Sequence, residues 1–86
     1  MVKGKTESGF EFEITEEVLD DYELLEALHK ADKGDVGYFT EAIDKLLGEQ
    51  VADLKRHVKE THGRVSMNAM FEEVMQIFNS SDEIKN

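Results

Sequence analysis

Cysteine, proline and tryptophan are absent from this chain, and positive charge is scarce. Without cysteine there is neither a disulfide nor a thiolate metal site, so packing alone must stabilise the fold. Without proline no helix is broken from within, which suits helices joined by glycine-ended turns. No apolar run approaches the roughly 20 residues that span a bilayer, and Met1-Val2-Lys3-Gly4-Lys5 leads into no apolar signal segment. The expected location is therefore cytoplasmic. Bases number 10 against 20 acids, a net charge of −10. A surface of that sign repels phosphate backbones and anionic bilayers, so neither nucleic acid nor membrane is an expected partner.

What is present suffices for one small core. The 86 residues are 40% hydrophobic, with five Phe and four Met among them. The expected organisation is a single domain over 1–79 followed by a frayed polar tail over 80–86. The acids are unevenly spread: residues 1–50 carry 14 acids and 5 bases, residues 51–86 carry 6 and 5. Between Glu11 and Glu26 there are eight acids and no base.

Periodicity gives the elements. Phe10, Phe12 and Ile14 alternate with Glu11 and Glu13, the period of a half-buried strand. Ser8-Gly9 supplies a turn and residues 2–6 a weaker partner strand, so an N-terminal hairpin is predicted. Residues 15–19 read as one loose helical turn. Asp20 as N-cap, with Glu23 three residues on, then opens a helix carrying Tyr22, Leu24, Leu25, Leu28 and Ala31 and closed by Gly34. A second helix runs from Val36 or Tyr38 to Leu47 with Phe39, Ala42, Ile43, Leu46 and Leu47 inward. The third, over 49–61, carries Val51, Leu54 and Val58 and stops at Gly63. Ser66 caps a fourth that reaches Phe78, its apolar side formed by Met67, Met70, Phe71, Val74, Ile77 and Phe78. The fold class is α+β and mostly α: a hairpin packed on a bundle of about four short helices.

Local chemistry is sparse. Asp32 to Glu41 has the rhythm of an EF-hand loop, but aligning Gly37 with the loop glycine puts Gly34, Val36 and Ile43 at ligand positions. A calcium cage cannot close on those residues. His57 follows Asp53 by one helical turn, yet His62 and His29 lie elsewhere, and no converging set of zinc ligands is visible. His57 reads as a solvated or helix-end histidine. Adjacent acids such as Glu16-Glu17, Asp20-Asp21 and Glu72-Glu73 point in different directions and read as solvated or capping groups. No nucleophile elbow or phosphate loop is present. No enzyme activity, cofactor or metal is expected.

Two surfaces are candidates for binding a protein. Lys55, Arg56, Lys59 and Arg64 form a basic cluster in an acidic chain, which either balances the acidic N-terminal half internally or docks another acidic copy or partner. Met67, Phe71, Met75 and Phe78 lie on a helix rich in adaptable side chains, most of which are expected to pack in the core. Met75 falls off the main stripe and is the member expected to be exposed. Weak self-association is expected if the basic cluster and the acidic stretch lie on different sides of the fold.

Three stretches taken together resemble a family. Residues 6–14 with 19–26, then Lys45-Leu46-Leu47-Gly48-Glu49-Gln50, and finally Gly63-Arg64-Val65-Ser66 are similar in order to small proteins of phage and prophage tail modules in Gram-positive bacteria. The resemblance covers nearly the whole chain and implies a tail assembly chaperone. Such a protein would act in the cytoplasm of a bacterial host, without catalysis, by binding the tape-measure protein before the tail tube polymerises. The alternative is a small acidic phage-encoded adaptor or regulatory protein that binds a basic protein surface.

Overall fold

The fold is read from a computed structural model that describes residues 1–85, with side chains described for residues 1–79. A two-stranded hairpin comes first and five helices follow. Strand β1 (Val2–Lys5) pairs antiparallel with β2 (Glu11–Ile14), setting Val2 opposite Ile14 and Gly4 opposite Phe12. Alternation does in β2 what the sequence predicts: Phe12 and Ile14 are buried, while Glu11 and Glu13 face solvent. The outer edge of β2 is covered by a side chain. Gln50 Oε1 accepts from the Glu13 N–H at 2.8 Å, and Gln50 Nε2 donates to the Glu13 carbonyl at 2.7 Å. One amide thus takes the place of a strand neighbour and blunts an edge that would otherwise invite pairing.

Gly4 is fixed by its cross-strand partner. A methyl group there would lie 2.5 Å from Cζ of Phe12, because the ring crosses directly over the glycine. Phe12 is 2% exposed, so its ring has nowhere to step aside. Gly4→Val is therefore expected to cost about 1–3 kcal/mol through overpacking, read as a lower midpoint in urea unfolding. An unchanged midpoint would mean that the ring moves freely.

Residues 15–19 form a defined helical turn, α1 (Glu16–Leu19), whose Thr15 hydroxyl accepts from the Val18 N–H at 3.3 Å. This turn displaces the predicted cap of the next helix. Asp20 closes α1, its N–H bonded back to Glu16 and Glu17, so Asp21 becomes the N-cap of α2 (Tyr22–Asp32) and accepts from the Glu23 N–H at 2.9 Å. The buried face of α2 is Leu24, Ala27 and Leu28, with Ala31 partly buried beside them. Tyr22 and Leu25 are exposed, contrary to the predicted stripe. Each lies 100° or more around the helix from Leu24, off the face that packs inward.

Helix α3 (Gly37–Leu47) buries every residue predicted for it. It packs against α2, where Lys30 Nζ sits 4.5 Å from the Tyr38 ring centre. Helix α4 (Gln50–His62) turns Leu54 and Val58 inward and ends on Gly63. That glycine adopts φ +81°, a left-handed cap that L side chains rarely take, and donates to the Lys59 carbonyl at 2.8 Å. Ser66 caps α5 (Met67–Lys85), its hydroxyl accepting from the Ala69 N–H at 3.3 Å. Helix α5 continues past the predicted end at Phe78 and lies against β1. The predicted frayed tail, 80–86, falls outside the residues whose side chains are described. Hairpin and helices contribute to one hydrophobic cluster, with Leu24, Leu54, Val74 and Ile77 fully enclosed. No helix among the described residues is long and apolar enough to cross a membrane.

Candidate functional site

An apolar groove opens where α3, α4 and the start of α5 diverge. Phe39 and Ile43 of α3 and Met70 of α5 line it below. Val51 of α4 closes one side, and Thr40 and Asp44 of α3 with Lys55 of α4 add its polar margin. Its volume is about 510 Å³. Val36, Val65 and Met67 form the rim and are 62%, 43% and 59% exposed. Val36 and Val65 lie in glycine-containing joints and Met67 follows the second, where the chain turns away from the core and leaves an apolar side chain without cover. Past Val36, Phe39 and Met67 the groove continues into a smaller recess of about 160 Å³ reaching Asp32, Asn68 and Phe71. Single exposed apolar residues are ordinary, but contiguous ones around a concave surface mark a place where another molecule fits.

The predicted contact residues divide across this surface. Met67 is on the rim and Lys55 on the margin. Phe71 lines the recess, its ring edge-on to Phe39 with centroids 5.3 Å apart. Met75 and Phe78 are partly buried and packed on the core. Exposure within the methionine helix is thus the reverse of that predicted: Met67 is open and Met75 is not. The reason is position along the axis, because Met67 begins α5 at the groove mouth while Met75 lies where the helix is already covered.

The basic cluster does not act as one surface. Arg56 Nη1 is 3.4 Å from Asp53 Oδ1 and lines a shallow hollow together with Glu11, Phe10 and His57. Lys55, the preceding residue, lies on the groove instead. Lys59 and Arg64 are exposed and have no ion pair among the described residues. Glu11 of the acidic stretch and Arg56 of the basic cluster border the same hollow, so the two predicted docking surfaces meet on one side of the fold there.

A second constellation is polar and ties the hairpin turn to two helices. Glu73 of α5 is 6% exposed and accepts from the hydroxyls of Thr6 at 2.8 Å and Ser8 at 2.9 Å, both on Oε1. Ser8 Oγ also lies 2.9 Å from Nε2 of His57. Thr6 in turn accepts from the Phe10 N–H at 3.1 Å, and the Phe10 ring rests 5.7 Å from the His57 ring. Next to this, the Glu7 N–H donates to Gln76 Oε1 at 2.9 Å. Serine, histidine and glutamate are together here: the Ser8 hydroxyl donates to the Glu73 carboxylate and lies within hydrogen-bond reach of the imidazole. These contacts tie the turn to α4 and α5.

Two predictions are corrected by this tie. Glu73 is not a solvated acid, and His57 is a half-buried packing and hydrogen-bonding residue. The signal for Glu73 was present: it falls with Met70, Val74 and Ile77 on the buried stripe of its helix. A carboxylate there needs donors, and only the fold brings Thr6 and Ser8 to it across more than sixty residues.

The loop with EF-hand rhythm spans the joint between α2 and α3, where Gly34 has φ +109° and the Asp35 backbone N–H bonds to the Lys30 carbonyl at 3.0 Å. Among the described residues no three His, Asp or Glu side chains converge on a point that could hold a metal ion. Comparison with known proteins finds no match, whether to family models, to curated proteins or to solved structures.

Proposed function

We propose that this chain is a non-catalytic protein-binding domain that serves as a phage tail assembly chaperone, holding the tape-measure protein soluble until the tail tube forms around it. The observation that carries the binding role is the groove rimmed by Val36, Val65 and Met67: an acidic, otherwise well-packed small domain keeps three large apolar side chains uncovered around one concavity. The resemblance of residues 6–14, 19–26, 45–50 and 63–66 to tail-module proteins supplies the client. A surface of net charge −10 supports the same role, since it keeps the complex soluble and repels other copies.

The test is co-expression with a tape-measure protein from the same tail module. The client is expected to move from the pellet to the soluble fraction and to co-purify with this protein. A client equally insoluble with and without it would overturn the chaperone reading.

A further inference from the structure

We propose that the groove between α3 and α4 holds a basic amphipathic helix of the partner protein, its apolar stripe facing Phe39, Ile43 and Met70 and its Lys or Arg side chains running along the α3 wall. This refines the protein-binding reading above and rests on it; what it adds is the shape and charge of the segment bound.

Shape comes first. The groove is walled by two helices, and its apolar surface extends into the recess beyond Phe39, so the uncovered strip is longer than a single side chain needs. A trough between helices takes a third helix, which offers apolar groups at i, i+3, i+4 and i+7 without exposing unpaired backbone. An extended peptide would leave its own N–H and C=O groups unpaired against apolar walls.

Charge then selects the sign of that helix. The α3 wall ends in Asp44 and the recess carries Asp32. Among the described residues neither acid takes part in an ion pair. Lys55 stands on the α4 side, where it repels cations and steers them toward Asp44. Over longer range the whole protein, at −10, attracts a basic segment and repels a second copy of itself. A helix with its lysines on the α3 flank satisfies both the local and the global field.

The test is an NMR titration of the full chain with two synthetic helices of about 18 residues that share one leucine stripe. One is flanked by lysine and the other by glutamate. The lysine helix is expected to shift the amide signals of Val36, Val65 and Met67 saturably, and the glutamate helix to leave them unmoved. At low salt Asp44→Lys should weaken the lysine helix about two- to fivefold and Lys55→Glu should tighten it similarly. Val36→Ser combined with Met67→Ser, two exposed positions, should weaken it about tenfold while circular dichroism stays unchanged. Equal binding of both helices, shifts confined to another surface, or no binding would overturn the proposal. So would groove signals that move with protein concentration alone, because a second copy would then be the occupant. In parallel co-expression, a client protected equally by the parent and by the double variant sinks the groove and spares the chaperone reading. A client that the parent fails to protect sinks that reading, while the titration still decides the groove.

Discussion

Phe12→Ala is expected to lower the melting temperature by at least about 12 °C. Truncating a buried phenylalanine costs about 3–5 kcal/mol, and each kcal/mol moves the midpoint of a domain this size by about 4–8 °C. The upper part of the range applies here for a structural reason. The ring covers Gly4, which has no side chain to fill the space left behind, and a two-stranded hairpin is marginal without the packing this ring provides. Val2 and Ile14 share its face, so a cavity at Phe12 loosens the contact between the strands and α3 as well. The comparison is Tyr22→Ala. Tyr22 is 70% exposed, and its loss should change stability by no more than about 0.5 kcal/mol. If calorimetry gives both variants the same melting temperature, the hairpin is not part of the cooperative unit.

Glu73→Leu is expected to destabilise the protein by about 1–3 kcal/mol, although it replaces a buried charge with an apolar side chain of similar length. Two effects oppose each other. Leucine needs no desolvation, which favours the variant. The Thr6 hydroxyl, itself buried, and the Ser8 hydroxyl lose their common acceptor, and a hydrogen bond to a charged group contributes about 1.5–3 kcal/mol. The second effect should win because two donors depend on a single oxygen atom. Thr6→Val removes one donor, so the double variant with Glu73→Leu should lose less than the sum of the single changes. Glu73→Gln keeps an acceptor oxygen and should fall between the parent and Glu73→Leu. Urea unfolding of the parent, Glu73→Leu, Thr6→Val and the double variant measures the coupling. Strict additivity would show that the Thr6–Glu73 contact contributes nothing to folding.

Both variants act on the joint between the hairpin and the helices, and that joint explains how the groove stays open on the opposite ends of α3 and α5. With the hairpin turn held on α5 through Glu73 and Gln76, and β2 held on α4 through Gln50, the hairpin covers one side of the helical layer. The turns at Val36 and Val65 receive no such cover.

Local pattern was enough to place the elements and most of their ends, the far end of α5 excepted. Alternation in residues 10–14 predicted the hairpin, apolar spacing predicted the inward face of α3, and Gly63 and Ser66 marked the break before α5. These are local matters, decided by backbone geometry and by which side chains share a face. Even there one cap moved by a residue, from Asp20 to Asp21, because a neighbouring helical turn competed for the same N–H groups. Tertiary structure alone decided which apolar residues stay uncovered and where a polar one is enclosed. Tyr22 and Leu28 are equally apolar to a periodicity argument, yet only Leu28 meets another helix. Met67 and Met75 share a helix, yet only Met67 reaches its mouth. Glu73 became a structural acceptor because the chain brought Thr6 and Ser8 back to it, and the groove exists because Val36, Val51, Val65 and Met70 converge from two helices and two joints. Periodicity records the face on which a side chain stands; whether another element covers that face depends on contacts between residues far apart in the chain.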